Sequence, residues 1–354
     1  MVAGLQLTPA PAQSAERSPA ASLTRIEECD PARFAEVIDN RDEPAVFRGL
    51  VSDWPIVAAA RRSTDDLADY LKSLDCGATV RAFVGDPQAG GRFFYRDDLS
   101  GFNFHIAETK FAQMIATLVQ FAHEGSGQPI YMGSTFTSEI LPGFAAANPL
   151  PRIEKRGGAP RIWIGTSSRI AAHFDESDNV ACVASGRRRF TLFPTDQVAN
   201  LYVGPLETTV GGQPTSLVDL AAPDFKRFPR FRHALEQART AELGPGDAIY
   251  IPALWWHAVE ASGPLNVLVN YWWQDEPVDA DSPLHALGHA LLSVGHLAER
   301  KRDRWRTLFD HYAFHADGDP AEHIPEKARG ILATSTSELR QFLRQFLITK
   351  LMGR

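Results

Sequence analysis

The sequence predicts a mainly β protein with helices, an α+β chain whose central part is a β sandwich or barrel. Three observations support this fold class. Short β-rich runs bounded by proline and glycine fill residues 129–275. Stretches with helical spacing alternate with β-like runs before that region, and mainly helical patterns follow it after residue 280. Many short strands separated by turn signals are typical of sandwiches and closed barrels.

The composition is that of an ordinary globular chain, and it argues against several functions. Of the 354 residues, 44% are hydrophobic and 22% are charged, which permits a sizeable core. A net charge of −7 offers polyanions no general attraction, so nucleic acid is not expected as a partner. No apolar run of about 18 residues predicts a membrane span, and the first residues lack a secretion signal. Three distant cysteines, Cys29, Cys76 and Cys182, indicate no disulfide framework and fit a reducing cytoplasm.

The order of the patterns along the chain predicts three parts. Residues 1–22, rich in alanine, proline and serine, are predicted to be a disordered tail. Residues 23–280 are predicted to form one domain that begins with α+β patterns, such as the strand "TVRAFV" and the helices "TDDLADYLKSL" and "KFAQMIATLVQFA". Its β core spans residues 129–275 and contains a proline-rich insert at about 196–240, a candidate substrate rim. The predicted core strands are "PIYMGSTF", "RIWIGTS", "NVACVAS", "RRFTLF", "DAIYIP", "HAVEA" and "LNVLVNYWW".

The third part, residues 281–354, is predicted to be helical. Its last helix carries one apolar stripe, formed by Leu339, Phe342, Leu343, Phe346, Leu347 and Leu351. Because most amphipathic helices cover their own domain, we favour that role for the stripe, with a homodimer contact through the C-terminal helices as the alternative. His285, His289 and His296 have no accompanying carboxylate and are predicted to be surface or interhelix residues.

The stretch "AAHFDESDNVACV" places His173 and Asp175 two positions apart within a predicted buried strand. Residues i and i+2 of a strand project from the same face, so the two side chains would form half of a metal site. A further histidine would complete two imidazoles and one carboxylate on one side of an ion, the arrangement of non-haem Fe(II) oxygenases. His257, which begins the run "HAVEA", is the candidate. The alternative is that these histidines are core residues with satisfied hydrogen bonds.

Polar side chains also interrupt the predicted strand "LNVLVNYWW". Alternation places Asn266, Leu268, Asn270 and Trp272 on one face of this strand. A buried amide is costly unless it is hydrogen-bonded, so this face is predicted to be the wall of a site. The neighbouring pair of Trp255 and Trp256 is predicted to pack beside that site.

These motifs carry a family resemblance. The stretch "IWIGTSSRIAAHFDESDNVACVASGRRRFTLFPTDQVANLYVGPL", with "LGPGDAIYIPALWWHAVEA" and "NVLVNYWW", resembles the Jumonji-C and cupin-like group of Fe(II)- and 2-oxoglutarate-dependent oxygenases. Within that group the chain is most similar to the branch of the asparaginyl hydroxylase that acts on hypoxia-inducible factor. The resemblance covers residues 130–275 well. It implies a double-stranded β-helix, the jelly-roll fold of cupins, with His173, Asp175 and His257 as iron ligands.

The resemblance also implies a pocket for 2-oxoglutarate. The basic residue with which the family binds the far carboxylate matches Arg188, and a guanidinium can hold a carboxylate through two parallel hydrogen bonds. Tyr131 matches a tyrosine that helps to hold the same carboxylate. Asn179, Asn270 and Trp272 match positions that line the pocket.

The chain departs from the family pattern at one position of this pocket. Relatives often place a threonine three residues before the first histidine ligand, where its hydroxyl binds the cosubstrate, and this chain has Ile170. Thr166 and Ser168 are candidates to supply the missing hydroxyl.

The implied activity is hydroxylation of a protein side chain or a small molecule, with 2-oxoglutarate and O2 as cosubstrates and succinate and CO2 as products. Two alternatives stay open, because a fold does not fix a reaction. One is a cupin-type metal-containing binding or regulatory module without oxygenase turnover. The other is a metal-dependent isomerase or a different dioxygenase. A buried Arg188 would favour 2-oxoglutarate, whereas an Arg188 that faces solvent would favour the alternatives.

Overall fold

The structure, a computed structural model, describes residues 23–125, 127–277 and 279–353. The predicted tail at residues 1–22 lies outside the described residues. The chain divides into two compact units, with the division between Gln274 and Asp275. None of the helices in the described residues is long and apolar enough to cross a membrane.

Within the described residues, twelve strands form the β structure of the first unit. Their bounds are β1 Thr24–Arg25, β2 Glu28–Cys29, β3 Ala45–Phe47, β4 Thr79–Gly85, β5 Phe104–Lys110, β6 Ile130–Phe136, β7 Pro160–Gly165, β8 Ser168–His173, β9 Asp178–Phe193, β10 Arg239–Leu243, β11 Ala248–Ile251 and β12 Trp256–Trp273. Two pairs of predicted strands are each one long strand, because β9 joins "NVACVAS" to "RRFTLF" and β12 joins "HAVEA" to "LNVLVNYWW". The patterns did not predict β5 and β10, each of which contains two charged residues.

The long strands β9 and β12 each take part in two sheets. The larger sheet has the order β2-β3-β11-β9-β12-β7-β6-β4-β5 and uses the first half of β9 and the second half of β12. In the smaller sheet β10 pairs with the second half of β9, and the first half of β12 pairs with that half and with β8. Apolar side chains of both sheets pack in one interior cluster, so the sheets face each other. This jelly-roll arrangement confirms the predicted fold class.

A glycine allows β9 to pass from one sheet to the other. Gly186 has a φ of +76°, in the left-handed region that favours glycine. A Cβ at this position would collide with the side-chain oxygen of Asn266 on β12. The pairing register between β9 and β12 shifts at the same level, between Ser262 and Val267.

Eleven α-helices accompany the strands in the described residues. Eight belong to the first unit, namely α1 Phe34–Asn40, α2 Pro55–Arg62, α3 Thr64–Ser73, α4 Phe111–Glu124, α5 Thr137–Ile140, α6 Phe144–Ala147, α7 Pro151–Glu154 and α8 Phe231–Gln237. The helices α3 and α4 match the predicted ones. Apolar faces of α1 to α4 pack on the outer face of the larger sheet, in a core that contains Ile56, Leu71, Ile115, Ile162, Val267 and Tyr271. Burial of this face leaves the inner face of the sheet for a site.

The insert at about 196–240 differs from the predicted loop. It contains α8 and the first residues of β10. Phe228 and Phe231 of the insert pack with Trp256 on the outer face of the smaller sheet. Trp255 packs in the interior cluster instead, so the predicted packing role of the tryptophan pair is confirmed. One point of the insert reaches the predicted metal site, because Thr215 forms an isolated β-bridge with His173.

The second unit contains the helices α9 Pro283–Ser293, α10 Glu299–Tyr312 and α11 Ser337–Leu351. None of these three helices contains a buried residue. Most of the apolar stripe of α11 is exposed, at Phe342, Phe346, Leu347 and Leu351, so the favoured prediction that this stripe packs on its own domain is not supported. The three histidines predicted to be surface or interhelix residues, His285, His289 and His296, are exposed.

Candidate metal centre

Two histidines face each other across neighbouring strands of the smaller sheet. His173 is the last residue of β8, His257 is the second residue of β12, and the two are direct cross-strand partners. Their ring centroids lie 4.3 Å apart. His257 is 4% exposed and His173 is half-buried. Both rings are therefore close enough to contact one ion.

The third predicted ligand reaches these rings by a different route from the predicted one. The sequence placed His173 and Asp175 in one strand, but β8 ends at His173 and Asp175 lies in the connection to β9. The backbone carbonyl of Asp175 accepts a hydrogen bond from the amide of Leu254 at 2.8 Å, which fixes this connection beside the start of β12. Asp175 Oδ2 then lies 3.6 Å from His257 Nε2. Only the local backbone differs from the prediction, because the carboxylate still lies beside the two imidazoles.

The three side chains form a donor set that fits a divalent metal ion. One potential ligand atom from each of His173, Asp175 and His257 lies within 4.8 Å of the other two. In the part of the chain that the structure describes, no other group of three histidine, cysteine or acidic side chains has this property. Two imidazoles and one carboxylate on one side of an ion are typical of non-haem Fe(II) sites, which leave further coordination positions open.

Backbone carbonyls orient both imidazoles towards the centre. His173 Nδ1 lies 3.0 Å from the carbonyl oxygen of Ala171, and His257 Nδ1 lies 3.0 Å from that of Trp255. A carbonyl can only accept, so Nδ1–H donates in each ring and Nε2 carries the free lone pair. Burial, and next the nearby His173, lower the pKa of His257 to about 4. His257 is therefore uncharged at neutral pH, the form that binds a metal.

The Asp175 carboxylate is held by the wall residues that the sequence predicted on β9 and β12. Trp272 Nε1–H donates to Asp175 Oδ2 at 2.9 Å, and Asn179 Nδ2 donates to the same oxygen at 3.4 Å. Asn270 Nδ2 donates in turn to Asn179 Oδ1 at 2.7 Å. The predicted shared face of Asn270 and Trp272 is observed, but their hydrogen bonds lead to the carboxylate. No sequence pattern indicated this orienting contact, because it depends on the connection after β8.

We expect Trp272→Phe to weaken divalent metal binding by about 10- to 100-fold, because outer hydrogen bonds of this kind orient a metal-ligating carboxylate. The variant keeps an aromatic ring and removes the donor to Asp175. The matched control is Trp273→Phe, since Trp273 lies on the opposite face of β12 and its Nε1 has no partner among the described residues. Anaerobic titration with Mn(II) or Fe(II) measures the effect, and equal affinities of the two variants would contradict it.

A buried arginine lies on the same pair of strands as His257, because Arg188 of β9 pairs with Ala261 of β12. Arg188 is on the second half of β9, is 4% exposed, and makes no ion pair with any described residue. Burial lowers its pKa to about 10, which leaves the guanidinium charged at neutral pH. Tyr131 projects from the facing sheet, on β6. Burial raises the pKa of Tyr131, and the Arg188 charge opposes this rise only in part. The phenol therefore stays protonated and can donate a hydrogen bond.

Several polar atoms on these inner faces lack partners among the described residues. They are Arg188 Nε, Asn270 Oδ1 and Trp163 Nε1. Leaving a buried polar group unpaired costs about 1–3 kcal/mol, so such a group in a native site calls for a ligand or water. Trp163, on β7, stacks on Tyr131 with ring centroids 5.7 Å apart and was not predicted as a site residue. Its position two residues after Arg161 in the alternating run "RIWIGTS" is the signal that could have identified it.

The hydroxyl candidates for the Ile170 position can also be located. Thr166 accepts a hydrogen bond from the Ile130 amide at 3.1 Å, so its hydroxyl is engaged in the turn between β7 and β8. Ser168 is 3% exposed. Ile170 itself packs against the interior apolar cluster. The pocket at this position is thus lined by a hydrocarbon side chain.

Comparison with known proteins identifies several relatives of this chain. The chain is 36% identical over 270 residues to "Lysine-specific demethylase JMJ31" of Arabidopsis thaliana, and the match covers 69% of this chain and 48% of the relative. "HSPB1-associated protein 1 homolog" of Danio rerio is 36% identical over 272 residues, with 68% and 54% covered. "HSPB1-associated protein 1" of Rattus norvegicus is 25% identical over 283 residues, with 73% and 54% covered. The chain spans about half the length of these curated relatives.

The resemblance predicted from the sequence is supported at the level of the family. The narrower assignment to the branch of the asparaginyl hydroxylase is not supported, because these relatives carry other names. A family model described as "Cupin-like domain" matches residues 31–279, a range that contains the three predicted ligands, the pocket residues and both sheets. The chain therefore belongs to the cupin-like domain family of the JmjC type.

Proposed function

We propose that this chain is an Fe(II)- and 2-oxoglutarate-dependent dioxygenase that hydroxylates a protein side chain or a small molecule. The observation that carries the proposal is the pairing of two sites between the sheets. His173, Asp175 and His257 converge on one point, and the buried Arg188, which has no ion-pair partner among the described residues, lies on the same β-scaffold. A metal-binding module without 2-oxoglutarate has no need for a buried cation without an anionic partner, because that charge is costly to bury.

Each residue has a role in this proposal. His173, Asp175 and His257 would hold the iron, and Trp272 with Asn179 would keep the carboxylate in its orientation. Arg188 would bind the far carboxylate of 2-oxoglutarate, and Tyr131 would donate a second hydrogen bond to it. Bound iron would supply the oxidising chemistry that converts 2-oxoglutarate and O2 to succinate and CO2 and oxidises a substrate C–H bond.

One relative supports a second candidate, the demethylation of lysine. The Arabidopsis thaliana relative is named a lysine-specific demethylase, and the same oxidative step on an N-methyl carbon would yield an unstable product that releases formaldehyde. The two candidates share the metal centre and differ in the product, so formaldehyde distinguishes them.

A succinate-release assay tests the proposed function. Purified protein with Fe(II) and 2-oxoglutarate is supplied with peptides, methylated peptides, metabolites or lysate fractions, and succinate and formaldehyde are measured. We expect at least one class to raise succinate above the level without substrate, and His257→Ala, which lacks one metal ligand, to give none. Succinate equal for the wild type and His257→Ala in every fraction would contradict turnover and favour the binding module.

The proposal extends to partners and cellular location. The free thiols Cys29, Cys76 and Cys182 are compatible with a reducing cytoplasm, where we place the protein. We also infer a homodimer through the C-terminal helices, because the apolar stripe of α11 is exposed in the second unit. Light scattering measures this directly, and the mass of a single chain in solution would contradict it.

A further inference from the structure

A second arginine lies near the metal centre and has no acidic partner among the described residues. Arg161 is on β7, directly opposite Asn270 of β12, and so shares the inner face of the larger sheet. Its guanidinium carbon lies 3.7 Å from the ring centroid of Phe136 and 5.7 Å from that of Trp272. Because Trp272 donates to Asp175, one indole ring separates this cation from a predicted metal ligand.

The surroundings of Arg161 fix the guanidinium and leave part of it free. Arg161 Nη1 donates to Ser134 Oγ at 2.9 Å, and neither Nε nor Nη2 makes a hydrogen bond with any described residue. Ser134 has a φ of +39°, a strained conformation for a residue with a side chain, where the pairing of β6 with β7 shifts register. Strained backbone of this kind clusters at functional sites. The irregular strand thus positions the hydroxyl that holds one edge of the guanidinium.

Arg161 differs from a neighbouring arginine with a structural role. Arg156 lies 5.8 Å from the ring of Trp273, the residue next to Trp272, and is paired with Asp39 at 2.6 Å. Arg161 has no carboxylate within 4.0 Å among the described residues. Burial lowers the pKa of Arg161, and the more distant Glu139 offsets this only in part. The cation is therefore partly desolvated, and the described residues do not fully compensate for this loss of solvent.

We propose that Arg161 binds a carboxylate of the primary substrate and positions that substrate beside the metal centre. This inference rests on the proposed function and names its substrate class, an acidic peptide or a free carboxylic acid. The free edge formed by Nε and Nη2 matches the two oxygens of a carboxylate. A methylated lysine, itself a cation, would meet a like charge at this position, so Arg161 favours hydroxylation of an acidic substrate over lysine demethylation.

Matched pairs of probes test this recognition by binding, without turnover. Each acidic peptide is paired with one in which Asp and Glu are replaced by Asn and Gln, and each free monocarboxylic acid is paired with its amide. The protein is loaded with Mn(II) and saturating 2-oxoglutarate, so that Arg188, the proposed anchor of the cosubstrate, is already occupied. We expect the wild type to bind acidic members of at least one probe class about tenfold or more tighter than their neutral partners. Whether the peptides or the free acids show this preference identifies the source of the carboxylate.

Variants assign the preference to the side chain. Arg161→Gln is expected to bring the ratio of acidic to neutral affinity close to one. Arg161→Lys retains the charge without the planar fork and is expected to keep only part of the preference for acidic probes. This variant replaces Arg161→Gln in the test if the glutamine variant does not fold. Arg232→Gln is the control and should keep the full preference, because Arg232 also stacks on an aromatic ring, Phe225, at 4.0 Å, but lies on the insert.

Three results would overturn the inference. The first is a wild type that binds both members of every pair equally, and the second is a preference that survives Arg161→Gln and Arg161→Lys. The third is weaker binding of 2-oxoglutarate itself by Arg161→Gln without any probe, since the arginine would then serve the cosubstrate. Failure of the proposed function would give a different result. If the wild type discriminates between the probes but releases no succinate, the carboxylate site is supported and the oxygenase function is contradicted.

Discussion

Replacement of Asp175 by alanine is expected to abolish metal-dependent binding of 2-oxoglutarate, and His173→Ala is expected to do the same. Each change removes one of three ligands, and the loss should exceed the 10- to 100-fold that outer hydrogen bonds contribute to metal affinity. Under anaerobic conditions the wild type with Fe(II) and 2-oxoglutarate should show the weak visible charge-transfer band of the chelated cosubstrate. Neither variant should show this band, because no ordered site for the ion remains.

The control for these variants is His289→Ala, which changes an exposed histidine of α9. It should retain the absorption band at full intensity. A band that persists in both Asp175→Ala and His173→Ala would show that other residues bind the iron. Loss of the band in the His289 variant as well would point to damage of the whole protein and not to a ligand.

Replacement of Arg188 by methionine is expected to have two effects of opposite sign. The affinity for 2-oxoglutarate should fall by at least about 2 kcal/mol, or roughly 30-fold, because a charge-assisted hydrogen bond in a buried site is lost. The free energy of unfolding of the protein without metal and cosubstrate should rise by about 1–3 kcal/mol, because the change removes a buried cation that has no acidic partner among the described residues. If Arg188 had only a structural role, it would stabilise the empty protein, and its replacement would lower the free energy of unfolding.

Two measurements separate these effects. Calorimetric titration of 2-oxoglutarate into the Mn(II)-loaded protein gives the affinity, and urea denaturation at neutral pH gives the free energy of unfolding of the empty protein. The charge of Arg188 is fully present at this pH, because its lowered pKa of about 10 is still well above neutrality. Arg187→Met is the control, since Arg187 is exposed and adjacent, and it should change neither quantity. Unchanged affinity in Arg188→Met would place the carboxylate anchor elsewhere.

Strand alternation predicted several features of the site correctly, and its failures have a common cause. On β12 it placed Asn270 and Trp272 together, because an unbroken strand has a period of two residues. It failed at Asp175, since β8 ends before this residue and only the contact between the Asp175 carbonyl and the Leu254 amide returns the carboxylate to the histidines. A hydrogen bond between segments so far apart in the chain leaves no periodic pattern.

Arg161 illustrates the same limit. In the sequence it is one of several arginines in β-like runs, and nothing near it in the chain distinguishes it from Arg156. The difference depends on Asp39, which pairs with Arg156 from a helix more than a hundred positions earlier, and on the irregular strand that brings Ser134 to Arg161. Unpaired cations can be identified only when the acids of the whole fold have been located.

The sequence by itself determined the mainly β fold with its flanking helices, the identity of the three metal-ligand candidates and the apolar faces of the strands. These features follow from local periodicity and from residue chemistry, which any short window of the chain contains. Only the tertiary structure decided that two long strands pass through both sheets, which atoms orient Asp175, and which buried cations lack an anion. Those properties depend on distances between residues remote in the chain, and such distances exist only once the sheets have closed on each other.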